Sequence, residues 1–161
     1  MKIFFFFLLY GFVTVDATAT VFCQFNNFYN PPSCTKFTSI TPITMANEEI
    51  IVDGQSSSYV DIYSNMLTFD QSSAINYIPT KLFNYFPFAT HFTAFNCSLM
   101  TIVTDAFFNC SKLNHIIVQH NPFRVLPEGF AQTCTSVNDF SFSRNELMYI
   151  HPNALSGLTS L

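Results

Sequence analysis

His91, His115 and Asp139 follow one another at one constant interval. Imidazoles and a carboxylate in one file are the raw material of a metal centre or an acid–base site. If each sits at the same point of a repeated strand, they form a row with steps of about 4.8 Å. Such a row is also what the solvated face of any sheet looks like. None of the four histidines falls in a His-Glu-x-x-His setting, and neither Gly-x-Ser-x-Gly nor Cys-x-x-Cys occurs in the chain. No catalytic or metal-ligating residue is therefore assigned, no cofactor is expected, and the chain reads as non-enzymatic. His91, His115 and His120 would titrate near pH 6.5 and make any contact on their surface acid-sensitive.

Cysteine and asparagine carry the remaining chemistry. Asn-Cys-Ser triplets at Asn96 and Asn109 satisfy the acceptor rule for N-glycosylation. Cys110 and Cys134 are separated by the same interval as the two histidines. On coils stacked at the interstrand spacing, two such cysteines fall within the Cα range of a disulfide. The preferred reading is that both are small core residues standing in for Leu, with the bridge as the alternative. Five cysteines leave one thiol over, most naturally Cys97, unless it pairs outside this sequence.

The elements that position these residues follow from a 24-residue echo beginning at Ala89, Leu113 and Val137, with Leu161 at the next first position. Positions 1, 4, 6, 11, 14, 19 and 22 of each unit are apolar or Cys in every case. With about half of residues apolar in an ordinary chain, chance agreement is on the order of one in a million before the choice of phase. Positions 4 and 6 (Phe92 and Ala94, Ile116 and Val118, Phe140 and Phe142) are two apart, which puts them on one face of a short strand. Position 9 is Cys97, Asn121 and Asn145. An inward Asn there can bond the backbone of neighbouring coils, whereas an unpaired buried amide costs about 1 to 3 kcal/mol. A degenerate unit upstream runs from Asn65 to Phe88, with its register slipped by one place at Phe69.

This template resembles the leucine-rich repeat, whose period is about 20 to 29 residues with a strand early in each unit. The resemblance implies an α/β repeat solenoid: a horseshoe with a parallel β-sheet on its concave face, an irregular or short-helical convex side, and a Cys-containing N-terminal cap. It implies a disulfide between Cys23 and Cys34, worth about 2 to 3 kcal/mol for so short a loop. Residues 69–79 and 81–87, preceded by the Cys pair, resemble secreted insect-type leucine-rich repeat proteins, some of them immune, and receptor ectodomains. The candidate binding face on the strands is His91, Thr93, Phe95, His115, Ile117, Gln119, Asp139, Ser141, Ser143 and Arg144. Phe95 and Ile117 are apolar yet point outward, as interface anchors do.

Composition bounds the rest. Residues 3–13 form an apolar run behind Lys2, and small residues follow at Ala17 and Ala19. Residues 1–17 read as a secretory signal peptide, too short for a span of about 20 residues. The domains expected are thus the leader 1–17, a cap at 18–64 and repeats over 65–161 (irregular 65–88, then 89–112, 113–136 and 137–160). Within the cap, 50–53 and 59–63 read as short strands around a turn. Leu161 opens a further repeat, so the sequence reads as truncated. Six basic against ten acidic residues give a net charge of −4, and without a basic patch nucleic acid is excluded as a partner. No segment is long enough to span a membrane. The expectation is a secreted or extracellular binding protein for a protein or glycoconjugate, with innate immunity as its setting. The alternatives are a cell-surface receptor ectodomain or a self-associating matrix component.

Overall fold

A computed structural model of the chain describes the backbone of residues 18–26, 33–39 and 49–53, and residues 65–161 apart from 72 and 74. The elements in order are β1 (Thr18–Asn26), β2 (Ser33–Ser39), β3 (Glu49–Asp53), β4 (Met66–Phe69), α1 (Leu82–Tyr85), β5 (His91–Phe95), β6 (His115–Gln119), β7 (Val125–Leu126), β8 (Asp139–Ser141) and β9 (Tyr149–Ile150). The leader over 1–17 and the run 59–63 lie outside the described residues. So do the side chains of Cys23 and Cys34, and with them the bridge expected between the two.

The molecule is a parallel-strand β-solenoid. Its long sheet has the order β3-β1-β2-β4-β5-β6-β8. From β2 onward every pair is parallel: Met66 lies beside His91, His91 beside His115 and His115 beside Asp139. A second, two-stranded parallel sheet joins β7 to β9 on the far stretch of successive coils, and Tyr77 bridges Thr101 two coils earlier. The coils therefore touch along two lines, and from β5 onward paired residues are 24 places apart.

Burial follows the template. Ala89, Leu113 and Val137 at position 1 are buried, as are Phe92 and Ile116 at position 4 and Leu99 and Phe123 at position 11. Phenylalanine fills the interior. Phe83 stacks on Phe107 at 5.5 Å, Phe92 meets Phe107 edge-on at 5.0 Å, Phe107 meets Phe130 at 5.8 Å, and Phe130 reaches Phe142 at 5.8 Å. Edge-to-face pairs of this kind add about 0.5 to 1.5 kcal/mol each beyond burial. In the coil 137–160 positions 14 and 19 open up: Ile150 is 49% and Leu155 43% exposed, because no described coil packs against that side.

The expected slip at Phe69 is present. Phe69 pairs with Ala94, one place beyond the repeat interval, whereas Tyr77 pairs with Thr101 at the interval itself. One extra residue is therefore taken up between them. Ser73 sits in that stretch, fully buried, its Oγ accepting from the Asp70 N–H at 3.1 Å.

Away from the long sheet the coils are irregular or briefly helical, in keeping with the sequence: among the described residues α1 spans only 82–85, and the other coils use turns. Pro127 with Gly129 and Pro152 with Gly157 interrupt the later coils where a helix would run. Cys110 and Cys134 are not free core thiols but a disulfide, with Cα atoms 4.8 Å apart. Both readings satisfy the apolar slot, and the sequence alone could not separate them. β3 also finds β1 as a parallel neighbour, and β1 and β2 form an antiparallel pair that the polar composition of 18–39 concealed.

Candidate binding face

Two polar columns run through the same strands, one inside and one outside. The inner column is position 9. Asn121 Oδ1 accepts from the backbone N–H of Cys97 at 3.0 Å and of Leu99 at 3.2 Å. Its Nδ2 donates to the carbonyls of Ala94 and Gln119 at 3.0 and 2.7 Å. Asn145 repeats the device one coil on, accepting from Asn121 N–H at 2.8 Å and donating to Val118 and Phe142 at 2.8 and 2.9 Å. Cys97 is a lesser member: its buried thiol donates to Asn121 Oδ1 at 3.4 Å, and burial, foremost, pushes that thiol up to about 12. This column satisfies the backbone where each strand leaves its sheet. The residue just before it, Asn96, His120 and Arg144, is left-handed in the three coils from Ala89 onward, with φ of 48°, 57° and 58°. Such a backbone costs non-glycine residues about 1 to 2 kcal/mol, and the inner amides hold it.

The outer column is position 3. The rings of His91 and His115 stack with centroids 4.1 Å apart and planes 17° from parallel. His115 Nδ1 lies 3.2 Å from Asp139 Oδ2. The carboxylate only accepts, so this nitrogen carries the proton. Thr90 Oγ1 donates its one proton to the Asn65 carbonyl at 3.1 Å, which makes His91 Nδ1, at 2.8 Å, the donor to that hydroxyl. Desolvation, and then the neighbouring His115, lower the proton affinity of His91, while Asp139 opposes them.

The other expected face residues gather around this column. Thr93, Ile117 and Ser141 stand side by side in register and are half-buried. Gln119 Nε2 donates to Ser141 Oγ at 3.0 Å. Phe95 is 44% exposed and meets the His120 ring edge-on at 5.0 Å. Arg144 donates to His120 Nε2 at 3.2 Å, so this imidazole is neutral with its proton on Nδ1. Ser143 and Arg144 lie just past β8 and are exposed. Nine of the ten residues named from the sequence are thus joined by register or contact, with His120 as a further member, and Ser143 is exposed beside them.

Asn96 and Asn109, which open the two Asn-Cys-Ser triplets, are exposed and left-handed. Asn96 opens onto the edge of the Phe95 patch. Asn109 sits beside the disulfide, its Nδ2 donating to Asn84 Oδ1.

A second surface was not foreseen. Met100, Val125, Met148 and Tyr149 are exposed by 55, 45, 80 and 53% around the short sheet. Part of it forms an open groove of about 480 Å³ lined by Met100, Thr101, Pro122, Arg124 and Val125. Arg124 is held there by Glu146 at 2.8 and 3.1 Å. The signal for this surface lies at positions 12 and 13 of the template, where apolar side chains recur outside the buried slots.

Among the described residues no three His, Cys, Asp or Glu converge as a metal cluster, and no helix is long and apolar enough to cross a membrane. Comparison with protein families, characterised proteins and solved structures finds no match to this chain.

Proposed function

We propose that this chain is an extracellular leucine-rich repeat protein that binds a protein or glycoconjugate, without catalysis, through the exposed face of its long sheet. The observation that carries the reading is the Phe95, His120 and Arg144 line beside the stacked histidines. An exposed aromatic ring, a neutral imidazole and a guanidinium with no carboxylate contact among the described residues lie on one rigid surface. Aromatic and Arg side chains are the commonest interface anchors. The Cys110–Cys134 disulfide fits an oxidising compartment, and a leader at 1–17 would deliver the chain there. Recognition of microbial surfaces in innate immunity is the biological setting that suits this design.

The test is a glycan array and an extracellular protein panel probed with the secreted full chain. A ligand whose affinity falls at least tenfold in Phe95→Ala/Ile117→Ala, with unfolding temperature unchanged, supports the reading. A ligand bound equally by both overturns it. A matrix role has its own supporting observation, the exposed strip of Met100, Val125, Met148 and Tyr149. Concentration-dependent self-association in sedimentation, abolished by Met148→Ser/Tyr149→Ser, would favour it. The receptor alternative is decided by the full transcript, through the presence or absence of a C-terminal anchor.

A further inference from the structure

We propose that Phe95, His120 and Arg144 form a clamp for an acidic sugar, a uronic or sialic acid within an oligosaccharide, which rests on the reading of this surface as a binding face and narrows its partner to one class. Arg144 donates to His120 Nε2 at 3.2 Å. That bond uses the one acceptor of an imidazole whose proton is on Nδ1. Both side chains are exposed, and among the described residues this is the polar contact that either makes. The pair therefore still offers donors alone, the His120 Nδ1–H and the remaining N–H groups of the guanidinium. The complement of such a site is a group that only accepts. A carboxylate is that group, and a guanidinium fork meets its two oxygens in parallel.

Charge and shape agree with this. Arg124 has its carboxylate in Glu146, whereas Arg144 has none among the described residues. The acid of this face, Asp139, opens β8 and faces His115, while Arg144 lies past the end of that strand. An anion is thus drawn to the Arg144 end. Phe95, 44% exposed, meets the His120 ring edge-on at 5.0 Å and supplies an apolar platform. From Phe95 to Arg144 the line crosses two strand spacings of about 4.8 Å, which suits linked sugar rings, one on the phenyl ring and an acidic one at the guanidinium. An extended peptide would need acceptors as well as donors for its backbone, and this clamp has no acceptor left. The line is also held in advance of binding: His120 and Arg144 are left-handed, each followed by an inner amide, Asn121 or Asn145, that bonds the neighbouring backbone.

The experiment titrates the full secreted chain with hyaluronan oligosaccharides and with sialyllactose, each as the free acid and as its methyl ester. Binding of one free acid is expected, at least tenfold tighter than its ester, and names the sugar. Arg144→Gln and Phe95→Ala should each weaken it at least tenfold. Arg144→Lys, which keeps the charge and loses the fork, should weaken it by less, and Arg124→Gln should change nothing. The ester leaves the protein untouched, so it decides even where a variant fails to fold. Acid and ester bound alike, or equal affinity in wild type and Arg144→Gln, would overturn the clamp. So would the absence of binding by both acids up to millimolar concentration while a captured protein loses affinity in Phe95→Ala/Ile117→Ala, an outcome that leaves the binding face standing. If no ligand of either kind responds to Phe95→Ala/Ile117→Ala, the binding face and the clamp fall together.

Discussion

The columns at positions 3 and 9 are both polar, both recur once per coil and lie close together along the chain, yet they do opposite work. At position 9 every side-chain polar atom of Asn121 has a protein partner and the residue is 3% exposed. At position 3 His91 and His115 are held through one ring nitrogen each and, among the described residues, keep the other uncommitted. Complete satisfaction inside the coil turns polar groups into a structural ladder. Partial satisfaction outside leaves them oriented and available. The difference is a property of burial and of hydrogen-bond count, and substitution can separate the two.

The largest effect is expected from Asn121→Ala. It orphans the N–H groups of Cys97 and Leu99 and takes one donor from the carbonyls of Ala94 and Gln119, the latter keeping the Asn96 N–H. At about 1 to 3 kcal/mol for each buried group left unpaired, a loss of at least about 3 kcal/mol is expected in denaturant unfolding. A similar loss, about 3 kcal/mol, should follow from Cys110→Ala/Cys134→Ala, which removes a bridge closing a 24-residue separation. Next comes Gly157→Ala. An added Cβ would lie 2.3 Å from the Ala131 carbonyl oxygen and 2.4 Å from Gln132 Cα, so backbone has to move, at about 1 to 3 kcal/mol. On the outer column, Phe95→Ala/Ile117→Ala should change stability by well under these amounts while weakening ligand binding.

The smallest effect concerns pH and the inner column's weakest member. Burial pushes the Cys97 thiol up to about 12, against 9.0 ordinarily. A folded-state value above the unfolded one means that this group's stabilising contribution is complete below pH 9 and is lost as pH rises toward 12. Wild type should therefore lose stability relative to Cys97→Ser over that window. Native Cys97 should also resist alkylation at pH 8, and react once the chain is unfolded. Prompt alkylation of the native protein would mean that the inner column is open to solvent.

Much of this division was legible in the sequence. Apolar slots at a fixed period named the core, because a coil can bury its edge only against another coil. The one-place slip at Phe69 and the outward set on β5, β6 and β8 could be read for the same reason. The disulfide could not, since Cys fits a small apolar slot whether bonded or free. The irregular or short-helical return of each coil was expected by resemblance, and turns prevail there, with Pro127, Gly129, Pro152 and Gly157 acting locally. Ser73 escaped notice as the inner-column residue of the irregular unit because it lies beyond the slip. The exposed strip of Met100, Val125, Met148 and Tyr149 left only a weak mark, apolar residues recurring at positions 12 and 13 without filling them in every coil, whereas a periodic template marks best the slots that are buried. The partners of Thr90 and Asp139, which distinguish an oriented histidine pair from a solvated row, depend on side-chain geometry that spacing does not contain.

The division between the columns is tested most directly by unfolding wild type, Asn121→Ala and His91→Ala/His115→Ala side by side by heat. The account predicts that Asn121→Ala unfolds on the order of 10 °C lower, while the histidine pair variant stays close to wild type. A silent Asn121→Ala, or a histidine variant that falls as far, would contradict the claim that the inner column builds the solenoid and the outer one is kept for binding.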